Sequence, residues 1–247
     1  MQLSKLSQLC GCKQVATVPP NRAGLFFCNY KVYNSQVLKV TLDLNYELIH
    51  LYFGANDHVS DGGILEYTNF CKLESRCLKI PESSDVNGRK LSYVFIGDEA
   101  FSLRKDFLKP YSVKQLTRER KIFDYRLCRA RRIIENVFGI LVARFGIFKT
   151  HINMKLDNIQ DVVMASCALH NFLRRTSPDT YTPPECFDTE DLQNGTVTAG
   201  LRSNSSSMAT LKRGNNRNHQ LTGKEVRSQF MEYFNNEGKV PWQDNCI

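Results

Sequence analysis

The chain of 247 residues is long enough for one sizeable domain and a tail, and its 42% hydrophobic residues can supply a packed core. It has no apolar stretch of about 18 residues, so a transmembrane helix is not expected. Its nine cysteines are odd in number and irregularly spaced, which argues against a disulfide framework and a zinc site and predicts a reducing compartment.

The first part of the chain favours β-structure. Aromatic and β-branched runs at 25–30, 37–42 and 48–53 are separated by short turns and predict an antiparallel meander. Asp61 and two glycines then open a segment over 64–73 with helical spacing. After a polar connection at 74–90, the run 93–96 predicts a fourth strand, which is followed by Gly97 and Asp98.

Two helices follow. The first is predicted from about 121 to 145, because its apolar residues recur at three- and four-residue steps: Phe123, Leu127, Ile134, Val137, Phe138, Leu141 and Phe145. The second is predicted over 159–173, and we expect Leu169 and Phe172 to be among its packing residues. Strands first and helices interleaved later predict an α/β class, a mixed sheet with helices on its faces.

The remainder of the chain changes in character. Proline, serine, glycine and acidic residues over 176–221 predict a disordered linker. In the final segment, 222–247, Val226, Phe230 and Tyr233 are spaced for one short helix. This helix cannot form a core of its own, so we expect it to dock onto the preceding domain or onto a partner.

Four segments, at 60–63, 97–101, 129–139 and 168–173, resemble in their order and spacing the DDE nuclease domain of PIF/Harbinger-type transposases. The resemblance covers 11–175 and leaves 1–10 as an unpatterned N-terminus. It implies a ribonuclease-H-like fold and a transposase-derived DNA endonuclease that uses a divalent metal. It also implies a nuclear location and a separate Myb-like DNA-binding protein as partner.

The resemblance implies that Asp61, Asp98 and Glu135 are the catalytic residues and hold Mg²⁺ or Mn²⁺. Carboxylate oxygens are the ligands that these cations prefer, and phosphodiester cleavage is their natural chemistry. Each acid also has a structural interpretation. Asp98 could cap a helix, Asp61 could belong to a turn, and Glu135 could pair with an arginine one turn earlier on its own helix.

Positive charge is concentrated beside two of these acids. Residues 104 to 149 carry 13 Lys or Arg against 4 Asp or Glu, whereas residues 176 to 247 carry 7 against 9. The guanidinium groups that best suit contacts with the DNA backbone are those of Arg126, Arg129, Arg131 and Arg132. The alternative is a solvated helix face. His170 is interpreted as a core histidine, with a proton shuttle as the alternative.

The first acid of the resembled family has no counterpart. The run at 11–15 places Gly11 at the position of the family's first Asp, or Cys10 in a shifted register, and Gln14 at that of its His. Neither glycine nor a thiol replaces an oxygen ligand for Mg²⁺, so the first strand is expected to be truncated or diverged. Two functions therefore remain open, a metal-dependent DNA endonuclease and a non-catalytic remnant that binds DNA or a protein partner.

Overall fold

A computed structural model describes residues 7–18, 28, 33–55, 82–98, 101–112, 116–201, 208–210 and 221–247. The strands of these residues are, in chain order, β1 (Ser7–Ala16), β2 (Ser35–Leu42), β3 (Leu48–Ala55), β4 (Ser84–Val86), β5 (Arg89–Leu91), β6 (Val94–Ile96), β7 (Phe107–Leu108), β8 (Thr189–Glu190), β9 (Val197–Thr198) and β10 (Ala209–Thr210). The α-helices are α1 (Arg118–Arg144), α2 (Leu156–Thr176), α3 (Pro178–Tyr181) and α4 (Leu221–Asn235). Shorter 3₁₀ turns lie at Gly146–Lys149, Pro184–Cys186 and Gln243–Cys246.

The centre of the fold is a mixed sheet in the order β3-β2-β1-β6-β7. Strand β2 runs antiparallel to both β1 and β3, and β6 and β7 run parallel to β1. The short strand β10 pairs with the second half of β1. Helices flank this sheet, so the expected α/β class is confirmed and the arrangement is consistent with a ribonuclease-H-like fold. The predicted strands at 37–42 and 48–53 correspond to β2 and β3.

The central strand β1 was not predicted as an intact strand, because the first strand was expected to be truncated or diverged, and the structure shows ten residues in it. It begins at Ser7, within the stretch 1–10 that was expected to be unpatterned, and it continues through the run 11–15. Its buried positions include Lys13 and Gln14, so it lacks the apolar alternation by which strands are recognised. The predicted strand at 25–30, apart from Cys28, and the predicted helix at 64–73 lie outside the described residues.

Helix α1 crosses the sheet and forms the centre of the main hydrophobic core. The side chain of Thr117 caps its start by accepting a hydrogen bond from the Arg120 amide. The predicted apolar stripe is buried except for Phe145, which is half-buried. In α2 the core side is formed by Ile159, Val163, Cys167 and His170. Leu169 and Phe172 are instead 51% and 60% exposed, so their predicted packing role is wrong.

Residues 178–201 differ from the linker predicted over 176–221. They form α3, a 3₁₀ turn and the β8–β9 hairpin, and Tyr181 and Cys186 are buried against Ile140 of α1. Two buried anchors therefore order a segment whose overall composition favours disorder. The rest of the predicted linker, apart from 208–210, lies outside the described residues.

The C-terminal helix α4 packs on α1 through Phe230, Tyr233 and Phe234, which belong to the main core. Of the two expectations for this segment, docking onto the domain is the one the structure shows. None of the helices in the described part of the chain is long and apolar enough to cross a membrane.

Candidate active site

Asp98 lies just beyond the end of β6, beside the central strand. The parallel register pairs Ser7 with Val94 and Leu9 with Ile96, and its continuation brings Asp98 level with Gly11. Gly97 allows this approach, because a Cβ atom there would lie 2.5 Å from the Phe107 ring. The position next to an end of a central strand is where α/β sheets commonly place functional groups.

Glu135 projects from the middle of α1 towards β1. Its Oε2 atom lies 3.0 Å from Nζ of Lys13, whose side chain is only 11% exposed. The same ammonium group lies 5.9 Å from the centre of the Phe138 ring, so it is held between a carboxylate and an aromatic face. Glu135 thus has a cation from the central strand beside it.

Asp98 also has an internal cation beside it. Nη2 of Arg131 lies 3.8 Å from Oδ2 of Asp98. Since Arg131 and Glu135 are four residues apart on α1, they share one face of the helix, and Asp98 pairs with the first of them. The two acids therefore lie on the same side of the molecule, as a shared site requires. The alternative in which Glu135 pairs with Arg131 or Arg132 is not what the structure shows.

The position of the missing first acid is filled by hydrophobic packing. Gly11 faces α1, and a Cβ atom there would lie 2.4 Å from Cγ2 of Ile134. A carboxylate at Gly11 would require that isoleucine to move. Cys10 points to the other face of the sheet, where it is buried with Phe95, Phe101 and Phe107. Neither position presents a ligand to Asp98 and Glu135.

These contacts decide how well the site fits a divalent metal. In the described ranges, no three His, Cys, Asp or Glu side chains come together as metal ligands do. The predicted third ligand, Asp61, lies outside the described residues. Within the site, Lys13 and Arg131 already supply positive charge to the two acids. The two acids among the described residues, each beside a cation, therefore do not by themselves form the divalent-metal site that the sequence resemblance implies.

The predicted DNA-contacting arginines all have partners within the chain. Arg126 is buried, and its Nη1 donates to the Gly238 carbonyl (3.1 Å) and to Oε1 of Gln243 (3.2 Å). Burial also lowers the pKa of its guanidinium group. The C-terminal segment covers Arg126, so a contact between this arginine and DNA would require that segment to be displaced. Arg129 and Arg132 both pair with Glu190.

Sequence reasoning missed three partners that lie far along the chain, namely Glu190, Trp242 and Gln243. The Arg129 guanidinium lies 5.5 Å from the centre of the Trp242 ring. The one signal in the sequence was the opposition between the basic stretch 104–149 and the acidic stretch 176–247. That signal predicts attraction between the two stretches but cannot identify pairs.

His170 is a satisfied core histidine, as interpreted from the sequence. Its Nε2 lies 2.8 Å from the Tyr46 carbonyl and its Nδ1 lies 2.9 Å from the Tyr181 hydroxyl. A carbonyl can only accept, so Nε2 carries the proton, and the neutral ring accepts from Tyr181 at Nδ1. Burial lowers the pKa of His170, which favours this neutral form. The ring is fully buried and is not part of the site around Asp98.

Comparison with known proteins gives one match. The family model described as DDE superfamily endonuclease matches residues 10–171. No curated protein and no solved structure matches the chain. The matched region contains Gly11, Lys13, Asp98 and Glu135, whereas Glu190 and the C-terminal helix follow it.

Proposed function

The chain belongs to the DDE superfamily endonuclease family, and from this premise we propose that it is a transposase-derived domain that binds DNA without cleaving it. Within the family we assign it to the PIF/Harbinger type, on the order and spacing of the four sequence segments. The family implies DNA as the substrate class. The proposal separates DNA binding, which needs positive charge, from cleavage, which needs a complete ligand set.

The observation that carries the proposal is the Lys13–Glu135 ion pair. An ammonium group lies 3.0 Å from Oε2 of Glu135, so it already neutralises the carboxylate that a divalent cation would bind. A metal would have to displace Lys13 and leave its charge in a pocket where it is only 11% exposed, which costs free energy. The packing of Ile134 against Gly11 removes the first acid from the same pocket.

A second candidate is a divalent-metal-dependent endonuclease that uses Asp61, Asp98 and Glu135. It is favoured by the placement of Asp98 and Glu135 on the same side of the molecule, beside the interior strands β1 and β6. Both side chains are about one-third exposed, so solvent and a substrate can reach them. In this candidate the ligands would be those three acids with Mg²⁺ or Mn²⁺, and Lys13 would have to turn away.

A plasmid cleavage assay distinguishes the two candidate functions. We expect the purified chain to bind duplex DNA in a salt-sensitive manner and to leave supercoiled plasmid intact in Mg²⁺ and in Mn²⁺. Asp98→Ala and Glu135→Ala should leave the plasmid result unchanged, as should Glu225→Ala at an exposed position on α4. Nicking by the unmodified chain that is lost in the first two variants but kept in Glu225→Ala would replace our proposal with the endonuclease.

The cellular setting follows from the same assignment. Proteins of this type work on chromosomal DNA, so we propose a nuclear location. A Myb-like DNA-binding protein is the proposed partner, because arginine contacts with phosphate position a protein on DNA but do not read its sequence. Co-purification of such a protein from nuclear extract with the tagged chain tests the proposed partner. A purely cytoplasmic distribution of the tagged chain would contradict the proposed nuclear location.

A further inference from the structure

Two arginines of α1 are held by a carboxylate from outside the region that matches the family. Arg129 and Arg132 are three residues apart and therefore lie on one face of the helix. Nη1 of Arg129 lies 3.3 Å and Nη2 of Arg132 lies 2.8 Å from the same oxygen, Oε2 of Glu190. The Glu190 side chain is only 6% exposed, so the three groups form an enclosed charge cluster.

The geometry of this cluster is poor for a carboxylate. Both guanidinium groups approach a single oxygen, and neither makes the two parallel hydrogen bonds of a forked arginine–carboxylate pair. Among the described residues, no donor is aligned well enough with Oε2 to form a hydrogen bond, despite the short distances. A phosphate group has more oxygens to share, so each guanidinium could take an oxygen of its own.

The element that carries Glu190 is small. The β8–β9 hairpin has two residues in each strand, and its residues are exposed or half-buried. A two-stranded hairpin of this size has little stability of its own in water. One tether to α1 is the hydrogen bond from the Asp188 amide to Oδ1 of Asn136, at 3.3 Å. Phe187 packs on Tyr46 just before the hairpin, so displacement of Glu190 requires only the two short strands to open while α1 and the sheet stay folded.

We propose that Arg129 and Arg132 form a binding site for a phosphate group of the DNA backbone, and that Glu190 closes this site in the DNA-free protein. The inference rests on the proposed DNA-binding function and names how that function is regulated. The Glu190 carboxylate takes the place of the phosphate, and DNA binding displaces the hairpin. The segment 188–198, which follows the family domain, acts as an internal competitor for DNA.

The test is DNA binding by the full chain with Glu190→Gln, measured by fluorescence anisotropy on a labelled duplex. This change keeps the side-chain shape and removes the competing charge. We expect duplex affinity to rise about tenfold, because the phosphate no longer competes with the Glu190 carboxylate for the two guanidinium groups. Thermal unfolding monitored by circular dichroism establishes that the variant is folded. If it is not, Glu190→Asp, whose carboxylate is withdrawn by one methylene, should give a smaller gain in the same direction.

Glu185→Gln is the matched control, since it removes the same charge from an exposed position five residues earlier. We expect it to bind DNA like the unmodified chain. The double variant Glu190→Gln with Arg132→Gln should lose the gain. Equal affinities for all the variants would overturn the internal competitor and leave DNA binding intact. An absence of DNA binding in the unmodified chain and in every variant would overturn the proposed function, and this inference with it.

Discussion

Lys13 is the residue on which the interpretation of the site depends. It brings an ammonium group from the central strand to a carboxylate on the central helix, in a pocket where the lysine is only 11% exposed. Breaking such a pair costs more than breaking one at the surface, because it leaves a poorly hydrated charge without its partner. Its other half, Glu135, is 30% exposed, which reduces the contribution below that of a fully buried pair.

We predict that Lys13→Met lowers the free energy of unfolding by about 1–2 kcal/mol, because Glu135 then loses its partner while partly buried. Glu135→Gln in the Lys13→Met background should restore part of this loss. Urea unfolding of the two single variants and the double variant measures the coupling, which we expect at about 1 kcal/mol. Strictly additive losses would mean that the two side chains are not energetically paired.

His170 predicts a pH dependence of stability. Burial lowers its pKa in the folded chain below the unfolded value of about 6.5. The unfolded chain therefore binds the proton more readily, so the contribution of His170 is present above about pH 6.5 and is lost as the pH falls through the folded pKa.

The measurement is urea unfolding between about pH 7.5 and 5. Burial also lowers the pKa of His50, so the pH dependence of stability in the unmodified chain contains contributions from both histidines. His170→Gln should show a shallower loss of stability on acidification than the unmodified chain. An identical pH profile in the variant would show that His170 does not stay neutral in the folded protein.

At the scale of elements, the sequence predicted best those helices and strands that show a regular spacing of apolar residues. Helix α1 was expected from 121 to 145 and runs from Arg118 to Arg144, because its apolar residues recur at regular steps. Strand β1 was missed, because a central strand is covered on both faces and this one contributes glycine, lysine and glutamine there. The exposure of Leu169 and Phe172 was also missed, since periodicity marks an apolar face without showing what covers it.

The packing of β1 against α1 predicts a cost for any side chain at Gly11. In Gly11→Ala the new Cβ would lie 2.4 Å from Cγ2 of Ile134, so we expect the free energy of unfolding to fall by about 1–3 kcal/mol. Gly146→Ala is the control, because that glycine has open space around its Cβ position, and we expect a change of about 0.5 kcal/mol or less.

Ile134→Ala provides a second check on this contact. In the Gly11→Ala background it removes the clashing atoms, so the double variant should be less destabilised than the sum of the single variants. Chemical unfolding of the four proteins measures this. Additive effects would indicate that the strain at Gly11 comes from the backbone and not from α1.

At the scale of the whole molecule, residues beyond the family match complete the fold. The α/β class followed from element order, whereas the role of Asp98 and Glu135 as metal ligands, expected from their family-like sequence contexts, stays a prediction. The ion pairs of Glu190 and the docking of Gln243 against α1 could not be predicted from the sequence, because each contact joins positions more than 50 residues apart. Charge asymmetry predicts attraction, but it does not specify which side chains meet.

Arg126 gives the sharpest test of this wider assembly, because it joins α1 to the C-terminal segment. It donates to the Gly238 carbonyl and to Gln243, and its guanidinium packs 4.8 Å from the Phe234 ring. We predict that Arg126→Met lowers the free energy of unfolding by about 2–4 kcal/mol, since the buried Gly238 carbonyl loses its donor and Oε1 of Gln243 keeps only the Val240 amide. Amide hydrogen exchange should accelerate over 221–247 more than in the sheet.

Arg118→Met is the matched control for Arg126. Arg118 contacts the same C-terminal segment through Asp244 at 2.9 Å, but its side chain is 68% exposed. Water screens that pair, so its loss should cost about 1 kcal/mol or less. If both variants accelerate exchange over 221–247 equally, the segment is held by charge at the surface. If only Arg126→Met does so, the buried guanidinium makes the C-terminal helix part of the domain core.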